Sequence, residues 1–221
     1  MPIPLFRWAV LAIAILPLVY YLAATFCAWD FFRRKPEPGP VFTPPVSILK
    51  PLKGLEPEAY ENLASYCRQD YPEYEILFGV DDVRDSAIPV VRRIIRDFPG
   101  VPIRLVTGKS NHATNNKVAK LCRLLLEARH ELLVVSDADT FVQRDYLRRV
   151  VAPFRDPSVG AVTSLYRGRP IRSLWSELEA LNLTTDWLAS TLVARKLEGV
   201  RFALGATIAV PRTRLAEIGG F

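Results

Sequence analysis

The chain opens on a long apolar block and then settles into short hydrophobic runs separated by mixed segments. From Trp8 to Trp29 there are 22 residues without a charge, and their polar character is limited to Thr25 and a tyrosine pair. About 20 apolar residues in a helix cross a bilayer core, so the block predicts a membrane-spanning anchor. A cleaved signal peptide is the competing reading. The block outruns the ~7–15 apolar residues of a signal core, and no small-x-small cleavage site precedes the basic flank. Pro17 falls mid-span, where membrane helices tolerate it.

Residues 36–45 form a proline-rich linker that runs extended. Beyond it the pattern changes period. Strands are predicted over residues 46–49, 74–80, 102–106 and 132–136, with helices over 57–69, 86–98 and 116–128 between them. The run at 132–136, Leu-Leu-Val-Val-Ser, shows no polar alternation, as expected of a parallel strand buried on both faces. Strands alternating with helices at this spacing predict an α/β sandwich with a mostly parallel sheet. Past residue 150 the signal weakens, with strands predicted within 159–166 and 202–210. Between them Leu174, Leu178, Leu181, Leu188 and Leu192 recur at helical spacing beside Trp175 and Trp187, predicting an amphipathic helix from about Ser173. The pattern favours a core-facing stripe; a helix lying on a membrane, with tryptophans at the interface, is the alternative.

Charge adds orientation. Arg33, Arg34 and Lys35 follow the apolar block, against Arg7 and the amino terminus before it. Positive charge stays on the cytoplasmic side, so the domain from residue 46 to 221 is expected in the cytoplasm, behind an anchor over 1–35. The net charge of +6 invites a nucleic-acid reading. The basic residues, however, sit beside the span and on segments such as Val90-Val91-Arg92-Arg93-Ile94-Ile95-Arg96, which suit a solvated or lipid-facing surface. No nucleic-acid partner is expected. Three cysteines without metal-like or redox-like spacing fit a reducing compartment.

Ligands of parallel α/β sheets bind beyond the carboxyl ends of the strands. Asp81 and Asp82 close the second predicted strand, with Asp85 nearby, and Asp137-Ala138-Asp139 closes the fourth. Carboxylates gathered there call for a countercharge. Mg2+ or Mn2+, held by one or two carboxylates plus substrate phosphates, supplies it. Asp137 and Asp139 are therefore the candidate metal ligands. Other phosphate sites fail: Gly108-Lys109-Ser110 resembles the end of a P-loop, but Ile103 stands where its first glycine belongs, and no Gly-x-Gly-x-x-Gly opens a helix. His112 and His130 have no ligand spacing.

A succession of motifs then becomes visible. Ser47-Ile48-Leu49-Lys50-Pro51-Leu52-Lys53-Gly54, Gln69-Asp70-Tyr71-Pro72, Asn116-Lys117, the Asp-x-Asp strand end, Gly205 and Gly219-Gly220 appear in order. The succession resembles the ceramide glucosyltransferase family and its bacterial relatives, including hopanoid-associated glycosyltransferases. The resemblance covers about residues 46–221. It implies a GT-A fold, a UDP-sugar donor carrying glucose or N-acetylglucosamine, a membrane lipid acceptor, and inversion at the anomeric carbon. It also implies that Asp82 or Asp85 contacts the nucleoside, that Asp137 matches the family's second aspartate, and that Lys50 and Lys117 belong to the donor site. Asp139 departs from the Asp-Ser-Gly common near ceramide glucosyltransferase and draws the chain toward metal-dependent GT-A enzymes.

In the family a third acidic motif supplying the catalytic base and an Arg/Gln-x-x-Arg-Trp motif follow the Gly-Gly segment. Neither occurs before Phe221. The sequence is therefore expected to be incomplete at its carboxyl end, with the base beyond it. A nucleotide-sugar-binding fragment without transfer activity is one alternative. A processive polysaccharide synthase is another, opposed by the Lys-Pro-Leu-Lys-Gly string.

Overall fold

The computed structural model describes residues 5–34, 40–54, 58–108, 114–170 and 173–221. Lys35, linker residues 36–39, Pro57, Lys109, Ser110 and His112, which enter the expectations above, lie outside the described residues. In chain order the elements are α1 (Leu5–Arg33), β1 (Val46–Pro51), α2 (Ala59–Cys67), β2 (Tyr74–Val80), α3 (Ala87–Asp97) and β3 (Ile103–Thr107). Then come α4 (Asn116–Glu127), β4 (Leu132–Ser136), α5 (Tyr146–Val151), β5 (Val162–Thr163), α6 (Leu174–Asn182), α7 (Leu188–Glu198), β6 (Thr207–Pro211) and α8 (Arg212–Glu217). They fall into two compact units, Pro40–Ser164 with Ala203–Phe221, and Met1–Gly39 with Leu165–Phe202.

The first unit is built on a six-stranded sheet of order β3-β2-β1-β4-β6-β5. The first four strands are parallel, with Ile48 opposite Ile76 on one side and Val134 on the other. β6 runs antiparallel to β4, and β5 antiparallel to β6. Successive strand residues face opposite ways, and both faces are covered. Ile48, Ile76, Phe78 and Val134 pack with Leu63 of α2, Val91 and Ile94 of α3, and Leu147 of α5. Leu49, Leu77, Leu133 and Val135 pack with Leu121 and Leu124 of α4 and Leu215 of α8. Each such side chain contributes about 1.5–3 kcal/mol on burial, so the two layers hold the strand ends at a fixed register. The predicted α/β sandwich with its mostly parallel sheet is what forms.

β1 is followed outward by β2 and β3 on one side, whereas β4 lies on the other. The strand order therefore reverses between β1 and β4, and the crevice for a ligand opens at their carboxyl ends.

In the second unit α1 carries a stretch, Arg7–Arg33, that is long and apolar enough to cross a membrane. Residues 174–198 form one continuous helical run, α6 and α7 joined through a π-helical turn at Leu183–Trp187. The predicted start near Ser173 holds, since Ser173 accepts a hydrogen bond from the Ser176 N–H as N-cap. The core-facing expectation holds only for the far end. Leu192 is buried, but Leu174, Trp175, Leu178 and Leu181 are exposed. The physical reason is that, within this unit, α7 is the part that lies along α1, facing its buried Ala24 and Cys27.

Candidate active site

Asp137 is the first residue beyond β4, half-buried at the crevice. Its Oδ1 accepts a short hydrogen bond from the ammonium of Lys117. Lys117 is delivered by the first turn of α4, whose N-cap Asn115 accepts from the Lys117 N–H at 2.8 Å. Gly205, in the loop entering β6, lies against both groups: a Cβ there would stand 3.7 Å from Asp137 Oδ2 and from Lys117 Nζ. Two distant segments thus converge on the Asp137 carboxylate. Asp139 is exposed, and no hydrogen bond to its carboxylate occurs among the described residues.

Behind Asp137 lies a buried polar layer. Lys50, from β1, is fully buried. Its ammonium donates to the Asp137 carbonyl at 2.6 Å and to Thr140 Oγ1 at 3.4 Å, and sits 3.6 Å from the Tyr66 ring centre. Tyr66 OH meets Ser136 Oγ at 2.5 Å and Thr140 Oγ1 at 2.8 Å, while Ser136 donates to the Ala206 carbonyl at 3.0 Å. Burial lowers the Lys50 pKa to about 7, against the fields of Asp137 and Asp139, which favour the charged form. Lys50 is accordingly not an open donor contact. It reaches the crevice only through the backbone of Asp137, and the layer fixes where the Asp137–Asp139 turn sits.

The acids beyond β2 have separate employments. Asp81 accepts from the nearly buried Lys120 at 3.0 Å. Asp85 accepts from the Gly54 N–H at 3.0 Å and the Ala87 N–H at 2.8 Å, tying the Lys-Pro-Leu-Lys-Gly loop to the start of α3. Asp82 is exposed and accepts from the Arg84 N–H at 2.9 Å. Of the two candidates for nucleoside contact, Asp82 is the one at the surface. Its distance from Asp137 is bridged by β1, which separates β2 from β4.

A family model for glycosyl transferase family 21 matches residues 9–221. The chain belongs to glycosyltransferase family 21. Curated relatives of this family 21 chain include ceramide glucosyltransferase 1 of Caenorhabditis elegans, 26% identical over 94% of the chain and 44% of the relative. The ceramide glucosyltransferase of Gibberella zeae is 31% identical over 62% of the chain and 29% of that protein. The chain thus spans less than half the length of these relatives. Among solved structures, a mannosyltransferase from Pyrobaculum calidifontis in complex with GDP-Man and Mn2+ superposes with a TM-score of 0.67 at 26% identity, covering 95% of the chain and 58% of that structure. Glucosyl-3-phosphoglycerate synthase from Mycobacterium tuberculosis shares the fold, with a TM-score of 0.51 at 17% identity over 77% of the chain and 56% of that one. The GT-A-like architecture follows.

The donor set of the family 21 crevice suits a divalent ion held jointly with a ligand. Among the described residues no cluster of three acidic, histidine or cysteine side chains exists to cage a metal. Mg2+ and Mn2+ need no such cage where phosphate oxygens complete the shell, and Asp139 has a carboxylate to offer. Sequence reasoning missed Tyr66, Thr140 and Lys120. Only Lys120 left a trace, one turn from Lys117 on the same side of α4.

Proposed function

We propose that this family 21 protein moves a hexose, glucose or N-acetylglucosamine, from a UDP-sugar to the hydroxyl of a membrane lipid such as ceramide or a hopanoid, with inversion. The observation that carries the reading is the Lys117–Asp137 pair with the exposed Asp139 carboxylate beside it, at the point where the strand order reverses. Asp139, with Asp137, would hold Mg2+ or Mn2+ against the donor diphosphate. The ion, when bound, neutralises charge on the departing nucleotide. Lys117 then exchanges its carboxylate partner for a phosphate oxygen, a swap its half-exposed ammonium can make. Gly205 leaves the face of Asp137 open to the donor, and Asp82 stands at the outer rim for the nucleoside. The ceramide glucosyltransferase relatives support glucose and a lipid acceptor.

The helix α1 supports a membrane anchor, with Arg33 and Arg34 directing the transferase unit to the cytoplasm. An anchored site meets an acceptor that does not leave the bilayer. Calorimetry of UDP-glucose binding with Mn2+ tests the metal assignment: Asp139→Asn should lose the metal-dependent part of the affinity. Unchanged affinity in that variant would remove the metal role. Incubating membranes that contain the protein with labelled UDP-sugars, and identifying the labelled lipid, tests the reaction.

A further inference from the structure

The unit formed by α1 with residues 165–202 holds a second apolar surface. Leu174, Trp175, Leu178 and Leu181 of α6 are 66, 80, 47 and 58% exposed. At 100° per residue they make one stripe, with Glu177 and Glu179 on its two borders rather than within it. Water is a poor medium for such a stripe, and large exposed apolar patches mark interaction surfaces.

Three further observations say what covers it. The run containing α6 is attached to the candidate span. Tyr21 OH donates to Asp186 Oδ1 at 2.7 Å, and Lys196 Nζ to Asp30 Oδ2 at 3.0 Å. Nine residues along α1 and ten along the partner rise by roughly 13–15 Å at 1.5 Å each, so the two helices run side by side in the same direction. Next, the hydroxyls of this region are consumed internally. Thr184 donates to the Ala180 carbonyl at 2.7 Å, Thr185 to Leu181 at 2.9 Å, Ser190 and Thr191 to Trp187 at 2.9 and 2.8 Å, and Thr25 to Tyr21 at 2.8 Å. In an apolar medium each unsatisfied polar group is costly, and these hydroxyls carry no such cost. Last, the far end of the pair carries an aromatic and basic belt. Arg33 lies 4.3 Å from the Trp29 ring centre and Arg195 5.0 Å from that of Phe31, around the buried Asp30. Belts of this composition sit at headgroups.

We propose that α6 is a second bilayer-contacting element, its Leu174, Trp175, Leu178 and Leu181 face immersed in the acyl chains at the level of the amino half of α1, where the Tyr21–Asp186 register places it. The inference rests on the membrane-anchored reading of α1. The Tyr21–Asp186 and Asp30–Lys196 links are the clamps that hold the element to the span, so the bilayer is gripped by a helix pair rather than by one pivot.

The test uses the full chain reconstituted in phosphatidylcholine vesicles, with the lipid brominated near the headgroup end of its acyl chains. In a variant retaining Trp175 alone (Trp8→Phe, Trp29→Phe, Trp187→Phe), bromolipid should quench the emission and aqueous iodide should not. Converse evidence comes from the single change Trp175→Phe, mild at so exposed a position, which should reduce the bromolipid-quenched share of total emission. Iodide quenching of Trp175 without bromolipid quenching overturns the inference. A variant retaining Trp8 alone separates the two readings. If Trp8 is quenched by bromolipid and Trp175 is not, α6 fails while the anchor stands; if neither is quenched, both fail.

Discussion

Replacing Lys50 by methionine keeps the aliphatic length of a fully buried side chain and deletes its charge. The burial that lowers its pKa from 10.5 to about 7 sets the sign of the outcome. Below pH 7 folded and unfolded chains both hold the proton, and the folded state bears the whole cost of the buried ammonium. Between pH 7 and 9 the unfolded chain keeps its proton while the folded chain sheds it. Stability then rises with pH by up to about 1.4 kcal/mol per unit. With half the proton already released at pH 7, the gain over that interval is about 2 kcal/mol. Lys50→Met has no such gain, so the variant should be relatively more stable at pH 7 than at pH 9, by the same amount. Tyr66 and Tyr146 do not blur the comparison, because burial pushes both phenols up, Tyr146 to about 12. Urea unfolding of the detergent-solubilised chain, read by pulse proteolysis at the two pH values, measures the difference. Parallel shifts of wild type and variant would refute the reasoning, since they would mean that Lys50 carries the same charge in both states throughout.

Glu75 works in the opposite direction. Burial raises its pKa, but hydrogen bonds from Ser47, the Arg129 N–H and Arg104 outweigh it and hold the carboxyl below its ordinary value. Its stabilisation is present above the unfolded pKa and fades as pH falls through the folded one; Glu75→Gln should cost about 1–3 kcal/mol at pH 7 and lose less than wild type on acidification. Gly54→Ala meets open space, so its cost is that of holding φ at 71° alone, about 1–2 kcal/mol by urea unfolding. Gly205→Ala should leave stability within about 0.5 kcal/mol, because the new methyl finds ordinary contact distances, yet weaken UDP-sugar binding in calorimetry by standing over Asp137.

Much of the fold was legible because its strands are buried on both faces and break cleanly at turns. The pattern predicts β2 and β4 with the bounds they have. β1 runs on to Pro51, past the predicted end at residue 49, because Lys50 reads as polar in sequence although the fold buries it. The short helices α5 and α8, six residues each, are too brief to show a 3.6-residue period. The strand predicted within 159–166 shrinks to Val162–Thr163, and the one predicted within 202–210 starts only at Thr207 and runs on to Pro211. Both belong to the sheet's antiparallel edge, where partners rather than local pattern set the ends. In the site, the Asp-x-Asp turn was legible from its place after a buried strand. The layer of Tyr66, Ser136, Thr140 and Lys50 beneath it was not, since it joins residues 70 and 87 positions apart.

The antiparallel pairing of β6 with β4 also orders events in time. Thr207 lies opposite Ser136, and the loop that places Gly205 beside Asp137 is delivered only by that pairing. Between β5 and β6 the chain leaves this unit for residues 165–202 before returning. A nascent chain that has produced the whole Asp137–Asp139 turn therefore still lacks one wall of the crevice. Donor binding should appear only after the excursion has been made and closed, and a ribosome-stalled chain ending at residue 200 should hold its carboxylates without a pocket to use them in.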